Sequence, residues 1–430
     1  MTQKIKTLDV SVSGKLVGEL QKHSQFCFAY DTSADEAQSV SLTMPVRSSE
    51  FRRSTLHPVF EMNLPEGYLR QRIIERFRKH ATVDEMFFLA LQGDRSIGRL
   101  GFQSKGVTRK TVEGTSLQTL VKAHNPELFE QLVDRYLEQT TIAGVQPKVL
   151  VPESTEPKSA IFLPELIVKA AGPEFPDLTV NEFVCMSIAR EAGLAVPEFH
   201  LSENARLFIM CRFDIGADSE RLGMEDICGL MGLVAEDKYR RSYEQVAKAV
   251  GIYSDQPNRD LEILFRSLCV SVLVGNGDAH LKNFAMLYRD ASAGKAWLSP
   301  AYDIVNTTVY LEADTLALKL GRTKDFPNRN TMVRFGREHC NLTAKMAESV
   351  IDDCIRAVEW GIEELSGFAE AVEFEGRTVL SELKKGVGRL MKAERKHLSL
   401  TRTRQFALRT RPPQQTPTIP RFPTQRHGYN

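Results

Sequence analysis

Two absences narrow the possibilities for this chain of 430 residues. None of its seven cysteines belongs to a Cys-x-x-Cys pair, so their spacing predicts neither a zinc site nor a disulfide framework. No apolar run approaches the roughly 20 residues that span a bilayer, and the N-terminal residues lack the apolar core of a signal peptide. We therefore expect a cytoplasmic protein with reduced thiols and no membrane partner.

The charges of the chain are nearly balanced, with a formal net charge of +1. That balance argues against a protein that binds polyanions with its whole surface. The exception is the stretch from Thr401 onward, which has six arginines, five prolines and no acidic residue. We predict that residues 412–430 are disordered. They form either a solvated tail or an arm that touches DNA phosphates or an acidic partner.

Hydrophobic periodicity predicts an α+β fold, with most strands in the first half of the chain and most helices in the second. Alternating runs predict an N-terminal antiparallel sheet with strands at Leu8–Val12, Leu16–Leu20, Phe26–Tyr30 and Val40–Met44. Helical spacing follows at 65–92 and at about 126–138. Strand-like runs return between 139 and 170, at 149–151, 161–163 and 165–169, before a helix at about 179–192. From about residue 224 we expect mainly helices, including 351–372 and 379–391, and one hairpin at 284–298.

Two polar residues, Asp278 and Asn283, have the spacing of a kinase catalytic loop. In such a loop the acid takes the proton of the accepting hydroxyl and the amide helps to hold magnesium. Asp303 follows the predicted hairpin and would supply a further carboxylate for the metal. The same residue types are also common in turns, because their side chains bond their own backbone. The apolar run at 264–274, which ends at the helix breaker Gly275, favours a functional loop between rigid elements.

The phosphate-binding side of such a site is less distinct in the sequence. Residues 141–148 could bring backbone N–H groups onto phosphates, or they could form a plain turn. Lys169 ends an apolar strand, as the phosphate-binding lysine of kinases does, although a lysine at a strand end needs no function. Glu182 could pair with Lys169. We favour the alternative, in which Glu182 completes a capping box that begins at Thr179.

These segments together resemble the HipA family of bacterial Ser/Thr kinase toxins over about residues 8–395. The most similar segments in chain order are Ala143-Gly144-Val145-Gln146-Pro147-Lys148, Asn181-Glu182, Ala192-Gly193-Leu194-Ala195-Val196-Pro197, Arg212-Phe213-Asp214, Gly277-Asp278-Ala279-His280-Leu281-Lys282-Asn283-Phe284 and Pro300-Ala301-Tyr302-Asp303-Ile304. The resemblance implies a two-lobed fold related to protein and phosphoinositide kinases, with a β-rich N-terminal lobe and a mainly α-helical C-terminal lobe. It also implies an N-terminal subdomain (1–110), a kinase N-lobe (111–220), a helical C-lobe (221–400) and a basic tail (401–430).

The resemblance further implies ATP and Mg²⁺ as cofactors and a role for each site residue. Asp278 would be the catalytic base, with His280 near the phosphates and Lys282 in the same catalytic group. Asn283 and Asp303 would bind magnesium. The residues expected to bind the nucleotide are Ala143, Gly144, Val145, Gln146, Lys148, Lys169, Cys211, Phe213 and Tyr302.

In the family, the phosphate-binding loop carries a serine whose autophosphorylation disables the kinase. Thr141 occupies the matching position here and Thr140 precedes it, so we expect the modification on Thr141 or, failing that, on Thr140. Family members pair with a helix-turn-helix antitoxin, HipB-like, which implies a 2:2 complex on operator DNA. Their targets include aminoacyl-tRNA synthetases, notably glutamyl-tRNA synthetase. The alternatives are a phosphoinositide-type or other small-substrate kinase, whose catalytic loop shares the Asp-x-His-x-x-Asn pattern, and a non-catalytic corepressor.

Overall fold

The computed structural model describes residues 4–104, 107–109, 115–125, 127–137, 140–142, 166–216 and 220–391. Predictions for the loop at 143–148, for the strand-like runs at 149–151 and 161–163 and for the C-terminal tail lie outside these residues. Strands predominate in the first part of the described chain and helices in the second, so the predicted α+β class is confirmed.

Five antiparallel strands form the N-terminal sheet: β1 (Thr7–Val12), β2 (Lys15–Lys22), β3 (Phe26–Tyr30), β4 (Phe51–Arg53) and β5 (Leu100–Gln103). Their order in the sheet is β4-β3-β2-β1-β5. In β1, every second residue from Leu8 to Val12 is buried, the period-two pattern of a strand with one covered face. The predictions for the first three strands are therefore confirmed.

The prediction of a strand at Val40–Met44 is wrong. This segment makes only an isolated bridge between Ser41 and Met44. The backbone N–H of Thr43 donates to Ser41 Oγ at 2.9 Å, and Ser41 Oγ donates to the buried carboxylate of Glu225 at 2.6 Å. Because these side-chain bonds satisfy the polar groups locally, the segment turns instead of pairing with β3.

Three helices cover the sheet: α1 (Pro58–Glu61), α2 (Gly67–Phe77) and α3 (Glu85–Gln92). The predicted helical run at 65–92 is thus divided in two. Asp84 begins the second helix, because its side chain accepts a hydrogen bond from the backbone N–H of Phe87 (3.1 Å), as an N-cap does. Residues Met86–Leu91 are all buried. They belong to the hydrophobic core formed within residues 4–104. We call residues 4–104 the N-terminal region.

The middle of the chain contains β6 (Val107–Arg109), α4 (Leu117–Val121), α5 (Leu128–Leu137), β7 (Thr140–Ile142), β8 (Leu166–Ala170), α6 (Leu178–Glu191), β9 (Phe199–Leu201) and β10 (Leu207–Cys211). Strands β6 and β7 pair with each other, and a second antiparallel sheet has the order β8-β10-β9. Helix α6 packs against this sheet, and its residues 179–189 are all buried. The predicted strand at 165–169 and the predicted helix at 179–192 are confirmed.

The remaining elements are β11 (Gly223–Asp226), α7 (Ile227–Leu230), α8 (Tyr243–Tyr253), α9 (Pro257–Val274), β12 (Ala285–Tyr288), β13 (Ala296–Leu298), α10 (Arg329–His339), α11 (Ala344–Glu364), α12 (Ser366–Ala371), β14 (Glu373–Phe374), β15 (Arg377–Thr378) and α13 (Val379–Leu390). Helix α9 packs against α8, α11 and α13 and forms the centre of this part. Across the described part of the chain, no helix combines the length and the apolar character that crossing a bilayer requires.

Two details differ from the sequence-based expectation, whereas the helix predicted at 379–391 is confirmed as α13. The predicted hairpin of β12 and β13 is extended by β11 into a three-stranded sheet. The helix predicted at 351–372 begins earlier and divides into α11 and α12, where the hydroxyl of Ser366 donates to the carbonyl of Glu363 (3.2 Å). Helix α13 contains Gly386 because a Cβ there would overlap the carbonyl oxygen of Leu273 in α9.

Candidate active site

The predicted catalytic loop follows the C-terminal end of α9. Gly275 has φ +71, the left-handed conformation in which helices commonly end. Gly277 lies so close to Asp314 that a Cβ would overlap its carboxylate. The backbone N–H of Asp278 then donates to Asn276 Oδ1 at 2.9 Å. Backbone conformation, close packing and this hydrogen bond therefore fix the shape of the loop that carries Asp278.

Asp278 is half-buried, and one of its carboxylate oxygens already has a partner. The hydroxyl of Tyr239 donates to Asp278 Oδ1 at 2.7 Å. Burial, followed by this hydrogen bond, raises the pKa of Tyr239, so the phenol remains a donor at neutral pH. Sequence reasoning missed Tyr239, because it lies 39 positions before Asp278 and belongs to no recognised motif.

A group of charges joins β8, α6 and the segment after β13; its Glu182 is buried, whereas Lys169 and Asp303 are half-buried. Lys169 Nζ lies 2.7 Å from Glu182 Oε1 and 2.6 Å from Asp303 Oδ1. Burial alone would lower the pKa of Lys169, but the charges of Asp303 and Glu182 outweigh it and the pKa is raised. The ammonium of Lys169 holds the pKa of Asp303 below its usual value, whereas burial raises the pKa of Glu182 to about 7. Lys169 therefore stays cationic, and Asp303 stays anionic, at neutral pH.

The favoured interpretation of Glu182 as part of a capping box is wrong. Helix α6 begins after Asp177, so Thr179 lies inside the helix, where its hydroxyl donates to the carbonyl of Ala205 at 2.7 Å. Glu182 pairs with Lys169 instead, and only 3% of its surface is exposed. The signal that could have indicated this pair is a glutamate in the first helix after the strand-end lysine, which is the arrangement in protein kinases.

Asn283 lies beside this cluster and has an unused oxygen. Its Nδ2 donates to Asp303 Oδ2 at 2.9 Å, while its buried Oδ1 has no hydrogen-bond partner among the described residues. A buried amide oxygen without a partner is costly. Amide and carboxylate oxygens side by side are the ligands that Mg²⁺ prefers. The residues present therefore fit a divalent cation.

Asp303 itself has φ +58. Asp tolerates this left-handed conformation better than most residues do, and such strain often accompanies functional sites.

The pKa of His280 depends on both Asp278 of the catalytic loop and Asp303 of the charged cluster. Burial lowers its pKa, the charges of Asp278 and Asp303 act in the opposite direction, and the net pKa is lowered.

Lys282 contacts the N-terminal region instead of the charged cluster: its ammonium forms an ion pair with Glu66. Burial would lower the pKa of Lys282, but its hydrogen bond to Glu66 and the charges of Asp226 and Glu66 together outweigh that effect, and the pKa is raised. Sequence reasoning also missed Glu66, which is 216 positions away from Lys282.

Three of the residues expected to bind the nucleotide, Cys211, Phe213 and Tyr302, lie on two segments. The rings of Phe213 and Tyr302 have centroids 5.1 Å apart, and the hydroxyl of Tyr302 donates to the carbonyl of Lys282 at 2.7 Å. Cys211 ends β10, where its backbone N–H donates to the carbonyl of Glu198 at 2.8 Å. Tyr302 thus links the Asp303 segment to the catalytic loop, and contact of these residues with the nucleotide stays a prediction.

The remaining predicted residues belong to the phosphate-binding loop. Thr140 and Thr141 lie in β7, where Thr141 is the register partner of Thr108 in β6. Their autophosphorylation stays a prediction. The loop residues that lie outside the described part of the chain are Ala143, Gly144, Val145, Gln146 and Lys148.

Comparisons with known proteins cover both parts of the chain. Residues 140–361 match a family model described as the HipA-like C-terminal domain, and residues 8–103 match the HipA N-terminal domain. A relative from Sinorhizobium fredii named as a candidate kinase, Y4dM, is 26% identical over 386 residues, which cover 82% of this chain and 89% of that protein. A candidate kinase of Haemophilus influenzae is 29% identical over 233 residues, or 49% of this chain and 67% of that protein.

A solved structure shows the same fold. The Shewanella oneidensis MR-1 toxin–antitoxin complex of HipA, HipB and operator DNA matches with a TM-score of 0.63 at 18% identity, over 89% of this chain and 97% of that chain. The predicted two-lobed fold is thereby confirmed.

Proposed function

This chain belongs to the HipA family, and from that premise we propose that it is an ATP-dependent serine/threonine protein kinase, the toxin of a bacterial toxin–antitoxin pair. The observation that carries the proposal is the cluster in which the ammonium of Lys169 is shared by the carboxylates of Glu182 and Asp303. Asn283 adjoins this cluster, and the charge of Asp278 acts on the same histidine as that of Asp303. Phosphoryl transfer needs these groups together: a phosphate-binding cation, metal ligands and a base.

Each of these residues has a task in that reaction. Lys169 would bind the phosphates of ATP. Asn283 and Asp303 would hold Mg²⁺, which neutralises phosphate charge when it is bound. Asp278 would accept the proton of the substrate hydroxyl while that oxygen forms its bond to the γ-phosphorus and ADP departs. His280, with its lowered pKa, would be a neutral hydrogen-bonding group near the phosphates.

The rest of the nucleotide site is proposed from the family resemblance. The loop at 141–148 would cover the phosphates, the backbone from Cys211 to Phe213 would meet adenine, and Tyr302 would also contact the nucleotide. The contact between the rings of Phe213 and Tyr302 supports a continuous apolar surface there. Because the ammonium of Lys282 pairs with Glu66, we assign Lys282 the task of fixing the catalytic loop. The division of the chain at residues 110, 220 and 400 belongs to the same proposal.

The partners also belong to the proposal. We propose a HipB-like helix-turn-helix antitoxin that forms a 2:2 complex on operator DNA, in line with the complex named for the Shewanella relative. The phosphorylated protein would be a translation enzyme such as glutamyl-tRNA synthetase, and autophosphorylation on Thr141 or Thr140 would switch the kinase off. Phosphorylation of such a target would arrest growth.

One labelling experiment tests the function. The full chain is incubated with γ-labelled ATP, Mg²⁺ and bacterial lysate, and the protein and lipid fractions are counted separately, with the near-isosteric variant Asp278→Asn as the control. We expect label on serine or threonine in the protein fraction with the native chain and none above background with the variant. Label confined to the lipid fraction would support a phosphoinositide-type kinase instead. No transfer at all would support a non-catalytic partner of the antitoxin.

A further inference from the structure

The carboxylate of Asp278 is held by a phenol that no sequence motif indicates. We propose that Tyr239 is the positioning residue of this base, and that Glu66 of the N-terminal region holds the segment that carries Tyr239 against the catalytic loop. This inference rests on the proposed function and adds a structural reason for the N-terminal region to be part of the enzyme.

The contact between Tyr239 and Asp278 has the geometry of an orienting hydrogen bond. The phenol donates to Oδ1 at 2.7 Å, which is the usual length for a hydroxyl bound to a carboxylate. A general base must point towards the proton that it accepts. A fixed orientation of its carboxylate therefore raises the reaction rate, because small misplacements of reacting groups lower that rate strongly. In this proposal Oδ2 is the oxygen that accepts the proton of the substrate hydroxyl.

The ring of Tyr239 is also fixed. It lies edge-on to the imidazole of His280, with centroids 5.2 Å apart and an interplanar angle of 76°. Its backbone carbonyl accepts a hydrogen bond from Lys324 Nζ at 3.4 Å. Tyr239 is nevertheless 41% exposed, so packing alone does not hold this side chain in place.

The segment before Tyr239 is held by the N-terminal region at two points. The backbone N–H of Ala235 donates to Glu61 Oε1 at 3.3 Å. The ammonium of Lys238 lies 3.7 Å from Glu66 Oε2, and the ammonium of Lys282 pairs with the other oxygen of Glu66. One carboxylate thus holds a lysine on each side of the Tyr239–Asp278 bond.

A backbone bond completes the arrangement. The N–H of Leu281 donates to the carbonyl of Lys238 at 3.2 Å, so the two segments are linked directly as well as through Glu66. If Glu66 acts only by keeping these segments together, its contribution to catalysis must pass through Tyr239.

The test distinguishes a loss of the orientation of Asp278 from a general loss of folded structure or of ATP binding. Tyr239→Phe removes the hydroxyl and keeps the ring. Tyr68→Phe is the matched control, because Tyr68 is an exposed tyrosine whose hydroxyl also donates to a carboxylate, that of Glu130. Rates of label transfer into lysate proteins are measured over a range of ATP concentrations, together with the rise in melting temperature that magnesium and ATP cause.

We expect Tyr239→Phe to lower the maximal rate about ten- to a hundredfold, since a hydrogen bond to a charged group is worth that much. The KM for ATP and the ATP-dependent rise in melting temperature should be unchanged. A native maximal rate or a raised one would overturn the proposal, the latter because the phenol would then be blocking the acceptor. Parallel losses of rate and of the ATP-dependent rise would also overturn it.

Glu66 is tested by double substitution. Glu66→Gln alone should lower the maximal rate about two- to fivefold, as expected for a partly exposed ion pair. Combined with Tyr239→Phe it should cause no further loss, because both act through one contact. Independent, multiplying effects would overturn the assigned link. No transfer by the native chain would instead overturn the proposed function itself, and this inference with it.

Discussion

The core of the N-terminal region and the cluster around Lys169 differ both in their chemical composition and in their exposure to water, because Lys169 and Asp303 are only half-buried. The core places apolar and aromatic groups together; Phe28 is fully buried and its ring centroid lies 5.4 Å from that of Phe60. The cluster places one ammonium between two carboxylates. Burial of apolar groups stabilises the fold, whereas ion pairs contribute little to stability when they are partly exposed and are often no better than apolar groups of the same size when they are buried.

This difference indicates whether each region serves folding or ligand binding. The core can be explained by folding alone. The cluster contains more acidic than basic groups, and an amide oxygen of Asn283 has no partner among the described residues, which is a poor arrangement for stability alone. We infer that the cluster is retained for its ligand, and the predictions below are designed to separate the roles of the two regions.

The largest effect on stability is expected in the core. Phe28→Ala should lower the free energy of unfolding of the N-terminal region by about 3–5 kcal/mol. The ATP-dependent rise in melting temperature of the rest of the chain should be kept. Urea unfolding followed by circular dichroism measures the first effect and thermal unfolding with magnesium and ATP the second. The control is Leu16→Ala on the same sheet, whose side chain is exposed and should change stability little; equal effects of both variants would contradict the core assignment.

The cluster should instead make stability depend on pH. Burial raises the pKa of Glu182 from 4.5 to about 7 in the folded protein, so the folded state keeps a proton that the unfolded chain loses between these values. The free energy of unfolding should therefore fall as pH rises through that window, by on the order of 3 kcal/mol from this group. Glu182→Gln should remove this decline.

The matched control is Glu191→Gln, an exposed position at the other end of α6. Urea midpoints measured at several pH values between 4.5 and 7 compare the three proteins. A decline that Glu182→Gln leaves intact would show that the titrating group lies elsewhere.

A smaller effect is expected on ligand binding. Asp303→Asn should weaken the rise in melting temperature produced by magnesium and ATP, because each tenfold loss of affinity removes about 1.4 kcal/mol of ligand-linked stability. Asn tolerates the left-handed backbone at this position, so the fold should be kept. Asp255→Asn, at an exposed site between α8 and α9, is the control. An undiminished rise in the Asp303 variant would make Asp303 a turn residue only.

The smallest expected effect is partial self-modification. A phosphate on Thr141 would add about −1.5 to −2 charges beside the proposed phosphate site, so the modified protein should bind ATP poorly. Mass spectrometry after incubation with magnesium and ATP should find the phosphate on Thr141 more often than on Thr140. Phosphate on neither residue, in a preparation active on another protein, would remove this regulatory step and leave the kinase assignment intact.

The sequence predicts local features of this molecule well. Alternation along β1 and the breaker at Gly275 both depend on neighbouring residues, and both predictions were confirmed. The spacing from Asp278 to Asn283 and on to Asp303 marked a loop that the fold does join to Lys169. These features are short-range, so a single sequence contains enough information to find them.

Features that depend on tertiary contacts were missed or misread. Glu182 fitted a capping box, because a helix that begins two residues early changes which side chains face the strand. The contacts of Tyr239 with Asp278 and of Glu66 with Lys282 join segments that are far apart in the chain. Val40–Met44 has the composition of a strand, but hydrogen bonds to Glu225 and within the turn replaced strand pairing.

The central claim is that Asp278 performs the proton transfer at a nucleotide site built by other residues. Asp278→Ala, compared with the native chain, tests this directly when phosphotransfer and the ATP-dependent rise in melting temperature are measured on the same preparation. We predict that transfer falls on the order of a hundred- to ten-thousandfold, while the rise in melting temperature is retained. Native rates of transfer in the variant would contradict the account.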